Sequence, residues 1–576
     1  MKMPGVVMQA LLLFIVVMTV YYPAILVPLN PVDDRALVQW LYETAGTPLG
    51  ELFTHARDVF YRPLLLATFF LDMRLWGAES SFLHLENILL HALNVLLLFA
   101  CARIVFTREF PGCIWPPFIT ALFFALHPIN TEAVIWISGR SDLLACSFML
   151  GALLSLLYGL DTRRPRHAWL SLALLIPGAL SKETAVFFVP AALILIACFP
   201  LAPISEADNS GAKVRWQFAI PFILLPLAYV SVRGLLSRDA GAGLVRDFFA
   251  VRQGELAVEL WTVLTGIGFY AKKLVIPWPL NFTIFSVPAY YGWLGILVLV
   301  LLGYCAFHRT LRSGLFLGCL ALASSALLAM LLRPAWTPVA ERYLYLPATF
   351  FVLAAVLAGT HFASRYLARN VLLLLLILLC SSAALATVNR AILWQSNLLL
   401  FEDSVRKSPD FPFARSTLAD LLWESGRGVE AATIIRENTA PKGLRNADYL
   451  DLKRAELLKS EGRYAEARKL IFEKQIKGGQ LYYEFQELLV NVDFMLLRNL
   501  VGEERQGLRT EVVVLLEELA RVTGDSFYHY RLGQFFLQEG DRVKAGRSFH
   551  LAALGAPDGS TYKEAAAKLA GKLAAP

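Results

Sequence analysis

Residues 84–106 read HLENILLHALNVLLLFACARIVF, and this stretch decides the fold. It is long and apolar enough to cross a bilayer core of roughly 30 Å as one helix. His84, Asn87, His91 and Asn94 stand at i, i+3, i+7 and i+10, within an arc of about 80° on one helix face. A polar stripe through a membrane helix faces a bundle interior or a wet cavity, because lipid exposure costs several kcal/mol. The stripe therefore predicts a polytopic bundle. It reads either as an interhelical hydrogen-bond seam or as one wall of a site.

The composition around it agrees. Of 576 residues, 57% are hydrophobic and 17% charged, and the mean hydropathy is +0.54. Soluble chains are nearer half apolar and a quarter charged. Residues 391–576 hold 26 Lys+Arg and 26 Asp+Glu, so the whole net charge of +7 lies before residue 391. A basic excess confined to the apolar part reflects loop asymmetry and excludes nucleic-acid binding as its meaning. The seven cysteines all precede residue 391 and form no C-x-x-C pair or His/Cys cluster with metal spacing, so they read as small apolar residues.

Eleven spans are expected, near 6–28, 84–106, 115–127, 142–160, 168–180, 184–200, 216–233, 290–307, 314–332, 345–360 and 371–389. The first reads as a signal anchor. With the N-terminus cytoplasmic, the inner segments carry 12 basic and 4 acidic residues against 15 and 16 elsewhere in the membrane part, which favours that orientation. The segment 257–276 contains Lys272 and Lys273 and reads as a helix lying on the outer face. Residues 395–576 are soluble and helical. Gly426, Gly462 and Gly540 are each followed by a charged residue and Ala (Glu430-Ala431, Glu466-Ala467, Lys544-Ala545), which resembles the tetratricopeptide repeat, a helix–turn–helix unit of about 34 residues. A degenerate array of such pairs is expected, with a surface suited to a protein partner. The fold class is all-α: a polytopic membrane bundle over residues 1–390, then a helical repeat domain over 395–576.

Chemistry is expected in the outer loop 29–63. Asp33 and Asp34 there read as a solvated helix N-cap or, in a desolvated cleft, as a pair poised for general-base work. Other ionisable residues fall at outer span ends: Arg62, His127, Glu132, Arg140, Asp142, Lys182, Glu183, Glu341 and Arg342. With His84, Asn87 and His91 they are candidate cavity-lining residues.

Five strings carry a resemblance: Phe60-Tyr61-Arg62-Pro63-Leu64, Leu126-His127-Pro128-Ile129-Asn130-Thr131-Glu132-Ala133-Val134, Ser138-Gly139-Arg140-Ser141-Asp142-Leu143-Leu144-Ala145, Ser181-Lys182-Glu183-Thr184 and Glu341-Arg342-Tyr343-Leu344-Tyr345-Leu346-Pro347. Over most of residues 1–390 the chain resembles the transmembrane-and-tetratricopeptide-repeat O-mannosyltransferases, polytopic glycosyltransferases of the GT-C class with bacterial relatives of the same layout. The resemblance implies a polyprenyl-phosphate sugar donor, typically of mannose, and a Ser or Thr hydroxyl of an acceptor protein or peptide. It maps the catalytic base to Asp33 with Asp34 beside it, and places Arg140, Lys182 and Arg342 near the donor phosphate. The family pair is usually followed by an Asn-containing segment, where Gln39-Trp40 stands here.

Carboxylate oxygens suit Mg²⁺ or Mn²⁺, but the sequence shows no dedicated ligand set, so no metal is predicted. Short loops point to a bacterial inner membrane, with the repeats extracytoplasmic. Two readings compete with transfer of one sugar: another lipid-linked-glycan transferase such as an oligosaccharide ligase, and a non-enzymatic membrane-anchored assembly protein.

Overall fold

A computed structural model describes residues 3–43, 62–200, 214–224, 256–332, 337, 339–366, 368–439, 448–474, 480–556 and 560–574. Phe60, Tyr61, most of the outer loop and the second half of the span expected at 216–233 lie outside them. The described chain is all-helical, and its one β-bridge joins Ile284 to Val339. It divides into two compact units, Met1–Phe411 and Pro412–Pro576.

The first unit begins with α1 (Met3–Tyr21), α2 (Asp34–Glu43), α3 (Pro63–Trp76), α4 (Ser80–Glu109), α5 (Trp115–Leu126), α6 (Thr131–Ile135), α7 (Arg140–Thr162), α8 (Arg166–Ser181) and α9 (Phe188–Cys198). There follow α10 (Val214–Leu224), α11 (Leu256–Val275), α12 (Tyr291–His308), α13 (Leu311–Leu332), α14 (Tyr345–Tyr366), α15 (Arg369–Trp394) and α16 (Asn397–Lys407). Seven helices among the described residues are long and apolar enough to cross a membrane, or eight if the bent pair Trp115–Leu126 and Pro128–Ile135 forms one span. Of the eleven expected crossings, those near 168–180 and 184–200 fall on helices shorter than a full span, α8, with Pro177 inside it, having 16 residues and α9 having 11, and the one expected at 216–233 is described only as far as Leu224. Within α12 and α15 only 11% and 6% of the spanning window is buried by protein, leaving apolar faces of the kind lipid covers. The chain is a membrane protein.

Helix α4 is the axis of this unit, and its stripe is a seam. His84, Asn87, His91 and Asn94 are fully buried. His84 Nε2 meets the Val27 carbonyl at 3.0 Å, and Asn87 Nδ2 donates to the Trp136 carbonyl at 3.0 Å. His91 Nδ1 lies 2.7 Å from the Tyr345 hydroxyl, and Asn94 Nδ2 donates to the Leu143 carbonyl at 3.0 Å. The stripe thus joins α1, the 128–139 segment, α7 and α14. Such bonds contribute only about 0.6 kcal/mol each, but they fix register. His84, Asn87 and His91 are therefore packed between helices.

In the second unit the helices pair in order: α17 (Pro412–Glu424) with α18 (Gly428–Glu437), α19 (Asp448–Ser460) with α20 (Tyr464–Glu473), α21 (Gln480–Leu496) with α22 (Gly502–Thr523), and α23 (Phe527–Gln538) with α24 (Arg542–Gly555), before α25 (Lys563–Ala574). Gly426, Gly462 and Gly540 adopt φ of +80°, +77° and +80° at three of the turns, a conformation that strains any residue with a Cβ. The interval of 78 residues between the last two turn glycines holds one extra pair, α21 and α22.

Candidate active site

The two acids of the first loop have opposite surroundings. Asp34 is buried and fully engaged: Oδ1 accepts from the Ser138 amide at 3.0 Å and its hydroxyl at 2.6 Å, and Oδ2 accepts from the Asn30 amide at 3.2 Å. Burial pushes its pKa up to about 7, against the lowering effect of these bonds. Asp33 keeps an open face, and no described residue donates a hydrogen bond to its carboxylate. The protein packed around it still raises its pKa, while Arg342 and then Arg62 act to lower it. Asp33 is thus a solvent-facing carboxylate on which both desolvation and two cations act. Asp34 anchors the loop, and Asp33 is the unencumbered acid.

The cations are set by a crossed pattern of ion pairs. Lys182 and Glu183 are neighbours in sequence but part company: Lys182 Nζ meets Asp142 at 2.6 Å, and Glu183 takes Arg62 Nη2 at 2.9 Å. Glu341 and Arg342 separate likewise. Glu341 Oε1 receives Lys273 Nζ at 2.6 Å and the Asn281 amide at 3.0 Å, whereas Arg342 pairs with Glu132. Glu132 also accepts from the backbone amides of Glu341 and Arg342, at 3.1 and 3.2 Å. The Arg342 guanidinium lies 4.8 Å from the Trp136 ring and 4.9 Å from that of Tyr343, and Lys182 Nζ lies 5.7 Å from the same Tyr343 ring. Tyr343 is thus an aromatic partition between two cations; Arg62 acts electrostatically on Tyr343 and Lys182, and Arg62 and Arg342 both act on Asp33.

Local backbone explains these placements. Pro128 has no N–H to continue α5, so the chain bends by 47° there and carries Glu132 to the site. His127 accepts from the Ile129 amide at 3.3 Å inside this bend and contacts the Leu274 carbonyl at 3.0 Å. Gly139 lets the turn before α7 press on Ala133, whose carbonyl oxygen would be 2.5 Å from a Cβ. That turn holds Ser138 to Asp34 and sends Arg140 and Asp142 inward.

Of the three expected phosphate ligands, Lys182 and Arg342 belong to this cluster. Arg140 is fully buried and every nitrogen of its guanidinium is engaged, with Asp72, with Glu86 at 3.1 Å, with the Asn87 carbonyl oxygen at 3.1 Å and with the Leu83 carbonyl at 3.2 Å. It clamps α3, α4 and α7 together, and these partners occupy the guanidinium that the resemblance placed near the donor phosphate. The sequence reading missed Lys273, Tyr343, Ser138 and Asp72. Lys273 left a signal, a lysine pair inside an apolar stretch, and Ser138 and Tyr343 stand inside two of the quoted strings. Among the described residues no group of three or more His, Cys, Asp or Glu side chains is disposed to hold a metal ion.

An apolar groove of about 1030 Å³ adjoins the cluster, bounded by Ile119 and Phe123 of α5, Val352 and Gly359 of α14, and Leu375 and Leu379 of α15. His127 and Leu274 also line it, the latter beside Lys273.

No protein-family profile matches the chain. Over 163 residues it is 37% identical to protein O-mannosyl-transferase TMTC1 of Homo sapiens, covering 26% of this chain and 18% of that protein. Over 192 residues it is 35% identical to protein O-mannosyl-transferase Tmtc2 of Drosophila melanogaster, covering 32% and 19%. A protein O-mannosyl-transferase of Caenorhabditis elegans is 24% identical over 378 residues, 64% of this chain and 51% of that protein. The chain is similar to protein O-mannosyl-transferases. The match spans about a fifth of the length of the first two relatives.

Proposed function

We propose that the chain is a GT-C-type membrane glycosyltransferase that moves a sugar, mannose by analogy with its relatives, from a polyprenyl-phosphate donor to a Ser or Thr hydroxyl of a protein. The observation that carries this reading is Asp33, an exposed carboxylate to which no described residue donates a hydrogen bond, with Arg342 and Arg62 acting on its charge.

Asp33 takes the proton of the acceptor hydroxyl as its oxygen attacks the anomeric carbon. The bond from that carbon to the phosphate oxygen breaks, the lipid phosphate leaves with the electron pair, and the configuration inverts. General-base assistance contributes about 10²–10⁴-fold. The leaving phosphate is a stable anion without a protein acid, and Lys182 and Arg342 stabilise its charge. The apolar groove receives the isoprenoid tail at ~0.8 kcal/mol per buried CH₂. The N-terminus is cytoplasmic, and the cleft and repeats are extracytoplasmic.

The test is incubation of the purified protein with a panel of polyprenyl-phosphate sugars and mass analysis of the acceptor. A single added hexose with wild type, and none with Asp33→Asn, supports the proposal. Wild-type turnover by Asp33→Asn rejects the base. Arg342→Ala is expected to weaken use of the lipid donor, and unchanged donor dependence rejects the phosphate site.

A further inference from the structure

The repeat unit carries a polar pocket of about 150 Å³, lined by Glu487 and Asn491 of α21 and by Phe527, Tyr528 and Arg531 of α23. An internal comparison shows what is unusual about it. Lys453 and Arg531 each stand nine residues before the turn glycine of their helix pair, Gly462 and Gly540, and the aromatics Tyr449 and Phe527 each stand four residues earlier. Lys453 is compensated, lying 3.1 Å from both Asp420 and Glu456. Arg531 is not. Its cross-helix partner is a neutral amide, Asn491, whose Oδ1 accepts from Nη2 at 2.6 Å, and its other neighbour is the Phe494 ring at 5.1 Å. Among the described residues no carboxylate forms an ion pair with it. Burial lowers its pKa, with Glu487 acting in the opposite sense. Glu487 is bound instead by the Tyr528 hydroxyl at 3.0 Å.

The pocket therefore presents a cation and an anion side by side, with guanidinium N–H groups and the Asn491 amide as donors and Glu487 as acceptor. An anion gains from Arg531 but is opposed by Glu487, and a cation meets the reverse. A neutral dipole with its own carbonyl and N–H gains from both. We propose that this pocket binds the main chain of an extended, uncharged polypeptide, one peptide carbonyl accepting from Arg531 and Asn491 and a neighbouring N–H or hydroxyl donating to Glu487. The face of Phe527 supplies an apolar wall for small side chains. This rests on the transfer reading only in naming that polypeptide as the acceptor.

The test is fluorescence anisotropy of the full chain in detergent with a labelled peptide of Ser, Thr, Ala and Gly, and with versions of the same length bearing Asp or Lys. The neutral peptide is expected to bind best. Arg531→Ala and Glu487→Gln are each expected to weaken it about tenfold, the loss of one charge-assisted hydrogen bond, with thermal unfolding confirming that both variants are folded. Asn491→Ala serves if either is not. Unchanged affinity in the variants, no peptide binding, or a preference for the charged peptides would overturn the proposal. Binding is read without turnover, so loss of peptide binding in these variants supports the pocket even where the sugar panel gives no transfer.

Discussion

Asp33 and Asp34 are adjacent, yet substitutions at the two should report different things. Asp33→Asn removes a group to which no described residue donates a hydrogen bond, so stability is expected to stay within about 0.5 kcal/mol while transfer is lost. If Asp33 is the base, its raised pKa should place the acid limb of the transfer rate above the ordinary carboxylate range, since the base must be ionised. Arg342 acts to lower that pKa, so Arg342→Gln should move the limb of the residual activity further up, and a limb that stays in place would separate the two groups. For Asp34 the sign is that of a buried acid. Its folded pKa of about 7 lies above the reference 3.8, so the native state holds the proton more tightly. The stability it contributes is full below about pH 4 and is lost as pH rises towards 7. Asp34→Asn is expected to flatten that slope in thermal unfolding, and an unaltered slope would assign the dependence elsewhere.

At the scale of elements, the string Ser138-Gly139-Arg140-Ser141-Asp142 is a hub in which each polar member serves a different helix: Ser138 the loop acid Asp34, Arg140 the α3 acid Asp72, Asp142 the α8 cap Lys182. Gly139 permits the hub. A methyl there meets backbone that cannot yield, so Gly139→Ala is expected to cost about 1–3 kcal/mol and to release Asp34, lowering the unfolding temperature and the transfer rate together. Gly507→Ala, in open space inside α22, should instead stabilise by about 0.5–1 kcal/mol, and the same melts compare the two. The hub also shows what a sequence discloses. Apolar run length and the 3.6-residue stripe made the all-α membrane bundle legible, because both are local. The turn glycines of the second unit were legible for the same reason. Pairing was not. Arg140 looked like Lys182 and Arg342, an outer-end cation, and only the fold shows that Asp72 and Glu86 surround it. Lys273 read only as a charge on a helix lying on the outer face, because its partner, Glu341, is 68 residues away. Short helices such as α9 look like spans by composition, and chain length around Pro177 and Pro190 decides otherwise.

For the whole molecule, the proposed polyprenyl-phosphate donor would draw on both the charged cluster and the apolar groove. Lys182 and Arg342 offer charge to a phosphate, and the space between α5, α14 and α15 offers hydrocarbon contact to a long chain. The same segments bound both: His127 lines the groove five residues before Glu132, and Leu274 lines it next to Lys273. If the groove holds the tail, filling it should penalise long donors selectively. Gly359 lines the groove with open space where a Cβ would stand, so Gly359→Leu projects into it without disturbing packing. The variant is expected to raise KM for a long polyprenyl donor about tenfold, which corresponds to displacing roughly two buried CH₂ groups, while kcat and the KM of a donor with a clipped tail stay as in wild type. Equal loss for long and short donors would mean that the substitution acts on the cleft rather than on the tail, and no loss for either would place the tail elsewhere on the bundle.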